Sequence, residues 1–267
     1  MSCRARLSAR IAGTKSTSST RIVAGGDYCD WIHWGDSRFD PEAVDANIAV
    51  KDMSSLAALL QIRLLEYLKP IRHQCIGAVM GNHEHQYMTA NSQVFVHDEM
   101  CRALGVPNMR YTGWCDIYFV HIDGLEGVEI LNGNESPPAF FTAKIRVLVS
   151  HGFGAAATAG GKINALKRLM DAAHDCDLIF MGHLHEQFSR VGVRLQPDAT
   201  CREIRERACM GVLTGTYLRG YSSGFVGYGE RRGYGPTTLG ASRAVYDPME
   251  RRLVAELAAD NVGHGMS

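Results

Sequence analysis

Four short apolar segments, each ending in polar residues that can bind a metal or move a proton, most constrain how this chain folds. The segments occupy residues 21–27, 75–80, 145–149 and 177–181, and each has the length and composition of a buried strand. The motifs at their carboxyl ends are, in chain order, GDYCD at 26–30, GNHE at 81–84, SHG at 150–152 and GHLH at 182–185.

Helical patterns separate these strands. We predict helices over residues 43–68, which Pro70 ends, over 94–104, and over 162–173 after the break Gly160-Gly161. Further strands are expected at 115–122, 128–131, 187–193, 210–213, 244–246 and 252–255. Alternating strands and helices predict a layered α/β fold, whose ligands gather at the carboxyl ends of the strands.

The side chains at the four strand ends form a mixed set of oxygen and nitrogen ligands. A carboxylate, an amide oxygen and several imidazoles suit Mn, Fe, Zn or Ni better than calcium. A carboxylate can bridge two such ions, and two ions roughly 3.5–4 Å apart can hold a phosphoryl group and acidify a shared water. Each motif alone is weak evidence, because a single histidine in an apolar segment is more often a core residue than a ligand. The order of all four indicates a site with the candidate residues Asp27, Asp30, Asn82, His83, His151, His183 and His185.

With its motifs in the order GD-x-x-D, GNHE, HG and GH-x-H, the chain resembles the calcineurin-like metallophosphoesterase superfamily over residues 21–186. Its C-terminal part is similar, more weakly, to the closing strands of phage and prophage members. The resemblance implies a four-layered α/β/β/α sandwich around two divalent metal ions. The implied reaction is hydrolysis of a phosphomonoester or phosphodiester by a metal-bound hydroxide.

The resemblance also implies which residues hold the metals. Asp27 would bridge the two ions. Asn82, His151 and His183 would complete the second metal site, and His185 would contribute to the first.

Two further motif residues receive catalytic roles from the same resemblance. His83 would protonate the leaving oxygen or steady the phosphoryl charge, and Asp30 would orient His83 through a hydrogen bond. Glu84, the last residue of GNHE, receives no ligand role.

One motif of the family is missing. The family begins with D-x-H at the end of its first strand, and this chain contains no D-x-H. The first metal site is then left with Asp27 and His185, too few ligands to bind a divalent ion tightly, which makes one metal the alternative to two. Three explanations stay open: a misassigned start that omits the first strand, a one-metal or inactive descendant, or a substitute ligand among His33, Asp36, His85 and Asp123.

Charge and cysteine content limit the classes of protein to consider. The 28 basic and 28 acidic residues cancel, so the total lacks the basic excess typical of nucleic-acid and anionic-membrane binders. The eight cysteines are scattered without a C-x-x-C pair, which predicts a reduced intracellular protein without a disulfide framework. No apolar stretch approaches the roughly 18 residues of a membrane span. We therefore expect a cytoplasmic protein.

The first 20 residues differ in composition from the rest. They are rich in Ser, Thr and basic residues and contain no acid, so we expect a disordered or non-native leader, with an organellar transit peptide as the alternative. Residues 21–267 would then form a single domain. Residues 22–267 hold 23 basic and 28 acidic residues, a formal charge of −5.

A Gly/Tyr-rich segment at residues 215–240 reads as a long loop. Its arginines Arg219, Arg231 and Arg232 could hold a phosphate or a nucleic-acid backbone, although a solvated loop is the plainer interpretation. Two alternatives to an active phosphoesterase stay open. The missing D-x-H suggests a catalytically impaired binding or scaffold protein, and this loop suggests a nuclease-type factor.

Among other histidines, solvent-facing positions are expected for His97 and His174.

Overall fold

A mixed sheet of eight strands lies at the centre of the computed structural model. The structure describes residues 7–10, 20–32, 35–36, 39, 41, 44, 48–90, 95–122, 125–131, 141–198, 200–218, 221, 230, 233–237 and 239–257, of which 7–10, 54, 121–122 and 125–131 are described for the backbone alone. The strands of the sheet are β1 (Leu7–Arg10), β4 (Thr112–Ile122), β5 (Leu125–Leu131), β6 (Ala143–Ser150), β7 (Leu178–Met181), β8 (Gln187–Pro197), β9 (Ile204–Thr216) and β10 (Gly240–Ala241).

The strand order of this sheet is β1-β5-β4-β6-β7-β9-β10, and β8 pairs with β9. β6, β7 and β9 run parallel to one another, and the other pairs are antiparallel. Leu7–Arg10, within the expected leader, pair with β5 and so add four residues to the sheet.

Two smaller sheets complete the strands of the described residues. β2 (Ile22–Ala24) pairs in parallel with β3 (Cys75–Ala78), and β11 (Arg243–Asp247) forms a hairpin with β12 (Arg252–Glu256). The four motif-bearing strands are thus β2, β3, β6 and β7. The presence of these and of the six further predicted strands is confirmed. Their bounds differ, because β2 and β3 are shorter and β8 and β9 longer than predicted.

The described residues contain four α-helices, and the bounds of two of them show that the predicted bounds were wrong. They are α1 (Leu56–Leu68), α2 (Asn82–Ala90), α3 (Val96–Leu104) and α4 (Ala159–Ala172). α1 is shorter than predicted because Val50–Ser55 form a 3-10 turn, in which the Ser55 hydroxyl donates to the Asp52 carbonyl. α4 begins before the glycine pair Gly160-Gly161, which is no break, because Thr158 caps the helix by accepting a hydrogen bond from the Gly161 N–H. None of these helices is both long and apolar enough to cross a membrane.

The central strands are buried on both faces, which explains their continuous apolar runs. Leu148, Ile179 and Leu213 pack beneath α4 in one core cluster. Val147, Val149 and Val212 pack on the opposite face with Ile76 and Val79 of the β3 region in a second cluster, which the β11–β12 hairpin also contacts. A third cluster joins β3 to α1 and α3. The strands are therefore fixed from both sides, and so are the loops that follow them.

His97 is buried, so the prediction of a solvent-facing position is wrong for this residue, whereas His174 is exposed as predicted. The His97 side chain is 4% exposed, stacks on the Tyr28 ring and has Nε2 3.0 Å from Asn108 Oδ1. α3 turns its whole inner face, including Met100 and Leu104, toward the third core cluster. A histidine on that face is buried, and a hydrogen-bond partner makes its burial tolerable.

Candidate metal centre

The carboxyl ends of β2, β3, β6 and β7 meet at one place. Asp27 follows β2, Asn82 follows β3 at the first position of α2, His151 follows the last residue of β6, and His183 lies two residues beyond β7. Glycine permits the close approach, since a Cβ at Gly26 would lie 2.6 Å from His151 Nδ1 and 2.7 Å from the Gly81 nitrogen. The predicted convergence of the motifs holds for these residues.

The donor atoms of this cluster have spacings that suit a shared cation. His151 Nε2 lies 3.0 Å from Asn82 Oδ1 and 3.2 Å from Asp27 Oδ2, and the ligand atoms of Asp27, His151 and His183 all lie within 4.8 Å of one another. Two donors bound to one ion at about 2.1 Å stand roughly 3.0–3.4 Å apart. The spacings of His151 to Asn82 and to Asp27 fall in this range, and His183 lies within 4.8 Å, so the group could hold one divalent ion.

Each of the two imidazoles is tied to a backbone carbonyl through one ring nitrogen. His151 Nδ1 lies 2.8 Å from the Gly25 carbonyl oxygen, and His183 Nε2 lies 2.9 Å from the Gly154 carbonyl oxygen. Because a carbonyl only accepts, these nitrogens carry protons, and His151 Nε2 and His183 Nδ1 are left to face the cluster. Within the described residues, His183 Nδ1 is buried without a hydrogen-bond partner. Metal-binding histidines are typically fixed in this way.

The cluster combines an ionised Asp27, a His151 that favours its protonated form and two histidines that favour their neutral form. Burial tends to raise the pKa of Asp27, but the hydrogen bond and charge of His151 and the His83 N–H hold that pKa below its ordinary value. Burial tends to lower the pKa of His151, yet its contact with Asp27 leaves that pKa raised. Burial followed by neighbouring imidazoles lowers the pKa of His183 and of His185, which keeps them neutral and able to donate a lone pair.

Asp27 also caps α2. The helix begins after Gly81, which has no side chain to cap it, and Asp27 Oδ1 instead accepts a hydrogen bond of 3.0 Å from the His83 N–H in the first turn. A Cβ at Gly81 would overlap Asp27, so the glycine makes room for a cap that comes from another strand. One carboxylate oxygen thereby serves the helix while the other faces His151.

Glu84 is the residue that the sequence analysis missed. Its side chain is 1% exposed, and its Oε2 accepts from the Asp27 N–H at 3.0 Å and the Gly81 N–H at 2.7 Å. Its Oε1 accepts from the Tyr28 N–H at 2.8 Å and from Trp31 Nε1 at 2.9 Å. In a capping box, a Ser or Thr N-cap is followed three residues later by a Glu that accepts from the N-cap N–H. The Gly81 N–H bond to Glu84 is only the second half of that arrangement, so GNHE gives a weak signal for α2 and none for the bonds of Glu84 to the segment after β2.

Three of the seven described non-glycine residues with a positive φ are candidate site residues. Asp27, His183 and His185 have φ values of +51°, +66° and +52°, a region that non-glycine residues avoid at a cost of about 1–3 kcal/mol each. The surrounding cores and hydrogen bonds hold these conformations. Asp27 and His183 belong to the ligand cluster, so strain at these two residues supports a functional site there.

The remaining candidates lie around this cluster. Asp30 Oδ1 is 3.3 Å from His83 Nδ1, so the pair expected from the resemblance is in contact. The group formed by Asp27, His151 and His183 does not include His185. Of the substitute ligands within the described part of the chain, neither Asp36 nor His85 joins that group.

Other predicted residues cannot be placed in the site. His33 and Asp123 lie outside the described residues, as do Arg219, Arg231 and Arg232 of the Gly/Tyr-rich segment.

Tyr111, which the sequence analysis did not single out, packs edge-on against His151 with ring centroids 5.3 Å apart, and its carbonyl accepts from the His151 N–H.

Comparisons with known proteins add no identification, since no family model, no curated protein and no solved structure matches the chain.

Proposed function

We propose that the chain is a metal-dependent phosphoesterase of the calcineurin-like type, acting on a phosphomonoester or phosphodiester. The observation that carries the proposal is the convergence of Asp27, Asn82, His151 and His183 from four separate strand ends. The same four motifs, in the same order, underlie the resemblance in sequence. Core clusters on both faces of the central sheet, with helices beyond them, support the finer α/β/β/α arrangement.

The four convergent residues would hold one divalent ion, with His185 nearby. Such an ion supplies Lewis-acid stabilisation of a phosphoryl oxygen and lowers the pKa of water. The chain's own contribution is to orient these ligands, because Gly25 and Gly154 fix the imidazoles of His151 and His183.

His83 would be the general acid. Its side chain is 25% exposed at the edge of the cluster, and Asp30 contacts its Nδ1, so proton transfer to the leaving oxygen would use Nε2. A carboxylate that fixes one nitrogen of an imidazole sets both the tautomer and the direction of the other nitrogen. Asp30 is accordingly a positioning residue.

Hydrolysis of an aryl phosphodiester with Mn²⁺ supplied tests the proposal. Asn82→Ala and His183→Ala should abolish activity by removing ligands. His83→Ala should lower kcat by roughly 10²–10⁴-fold, the range of a lost general acid. His174→Ala is the matched control, because His174 is exposed after α4 and contributes nothing to the cluster. Activity that survives all three site substitutions unchanged would show the assignment to be wrong.

A catalytically impaired, phosphoesterase-like binding or scaffold protein is the second candidate. The missing D-x-H favours it, as does the fact that neither Asp36 nor His85 joins the cluster among the described residues. Counting the metals per purified chain by elemental analysis separates the two. Two tightly held ions support the two-metal enzyme, one ion supports a single-metal site formed by the four residues, and none supports the scaffold.

A further inference from the structure

The Glu84 side chain is buried, although Glu84 does not belong to the candidate ligands. Taking a carboxylate out of water is costly unless hydrogen bonds replace its hydration. Four N–H groups do so here, at 2.7–3.0 Å, and they come from Asp27, Tyr28, Trp31 and Gly81. Every one of these donors belongs to the segment that carries Asp27 or to the residue that precedes Asn82.

The two oxygens of Glu84 have different partners. Oε2 receives the N–H groups of Asp27 and Gly81, and it thereby ties the end of β2 to the start of α2. Oε1 receives Tyr28 and Trp31 and holds the chain beyond Asp27. This double attachment holds Asp27 in its unfavourable conformation, with a φ of +51°.

Fixing the backbone of Asp27 fixes where its carboxylate points. With its N–H on Glu84 and its Oδ1 on the His83 N–H, Asp27 is held at both ends, and Oδ2 lies 3.2 Å from His151 Nε2. Asn82, next to Gly81, places its Oδ1 3.0 Å from the same nitrogen. One buried side chain therefore sets the separation of two candidate ligands that are 55 residues apart in the sequence.

We propose that Glu84 is a positioning residue that forms the metal site before the ion binds, by holding Asp27 and the start of α2 in register. The inference rests on the proposed function, because it takes Asp27 and Asn82 to be metal ligands. A Glu84 that only caps a helix would affect stability alone. A positioning residue also changes the affinity and the coordination of the ion.

Titration with Co²⁺, followed by its visible absorption, tests the proposal on the full-length chain freed of metal by chelation. Glu84→Gln keeps the size of the side chain but replaces one acceptor oxygen by an NH₂ group, so it cannot accept all four hydrogen bonds. We expect Co²⁺ affinity to fall about 10–100-fold, the usual effect of losing a residue that orients a ligand, and the absorption spectrum to change. Met170→Ala is the control, since it truncates a buried side chain of α4 outside the ligand cluster and should leave affinity and spectrum as in the wild type.

Co²⁺ binding by the wild type tests the proposed function, and the difference between the wild type and Glu84→Gln tests the role of Glu84. A wild type that binds no Co²⁺ overturns the proposed function and this inference with it. A wild type that binds, together with a Glu84→Gln variant of equal affinity and spectrum, overturns the role of Glu84 alone.

A measurement on the wild type keeps the test decisive if Glu84→Gln does not fold. The amide protons of Asp27 and Tyr28 should exchange slowly in metal-free protein, because both are bonded to a buried carboxylate. Fast exchange of these amides without metal would mean that the site is not formed in advance, and would overturn the proposal.

Discussion

Gly26→Ala tests the geometry of the site most directly, and Gly25 next to it provides the control. Gly26 has a φ of +85°, and a Cβ there would lie 2.6 Å from His151 Nδ1, 2.7 Å from the Gly81 nitrogen and 2.8 Å from the Gly81 Cα. A Cβ on Gly25 would meet nothing within 4 Å. The two substitutions add the same methyl group to neighbouring residues, and only one addition collides with the other strand ends.

The expected loss of stability has two sources. Alanine in a left-handed conformation costs about 1–2 kcal/mol, and forcing an extra carbon into close-packed surroundings typically costs about 1–3 kcal/mol more. Gly26→Ala should therefore lower the free energy of unfolding by about 2–5 kcal/mol. With an m-value of about 2 kcal/mol/M, this moves the urea midpoint down by roughly 1–2.5 M.

Urea unfolding of the wild type and both variants, followed by circular dichroism, measures the difference. Gly25→Ala should unfold close to the wild type. An equal midpoint for the two variants would mean that Gly26 does not lie close to Gly81 and His151. The strand ends would then not meet as described.

Two further predictions concern stability away from the cluster. Asp116→Asn should cost about 1–3 kcal/mol at pH 7, because the hydrogen bond from Arg146 holds the pKa of Asp116 below its ordinary value. A lowered folded-state pKa gives stability that is present above the unfolded value of about 3.9 and is lost as the pH falls through the folded value. The urea midpoints of wild type and variant should therefore approach each other as the pH falls below the unfolded value. Thr158→Ala should cost about 0.5–2 kcal/mol in the same assay through loss of the α4 cap on Gly161, and Thr158→Ser should restore most of it.

The sequence predicted the strands well because their signal is local. Runs such as 145–149 are buried on both faces, so their composition alone marks them. Helix bounds were less accurate, because they depend on single contacts such as the Thr158 hydroxyl on Gly161. His97 shares the inner face of α3 with Met100 and Leu104, at a helical spacing that the sequence contains, so its burial could have been predicted. Its ring partner Tyr28 could not, because that residue is distant in the chain.

The identity of the candidate ligands could be predicted from the sequence, whereas their arrangement in space could not. Asp27, Asn82, His151 and His183 stand in short motifs that follow strands, so position in the sequence was enough to select them. The arrangement depends on contacts between motifs, such as the cap that Asp27 gives to α2. No single segment contains that information.

Asp27 should reveal its two roles separately when it is changed in two ways. Asp27→Asn retains an Oδ1 that can accept from the His83 N–H, whereas Asp27→Ala removes the cap of α2. In metal-free protein we expect Asp27→Ala to be about 0.5–2 kcal/mol less stable to urea than Asp27→Asn. Both variants lose the carboxylate that faces His151, so both should bind Co²⁺ far more weakly than the wild type. Equal stability of the two variants would refute the capping role, and undiminished Co²⁺ binding by either would refute Asp27 as a ligand, so the two roles stand or fall independently.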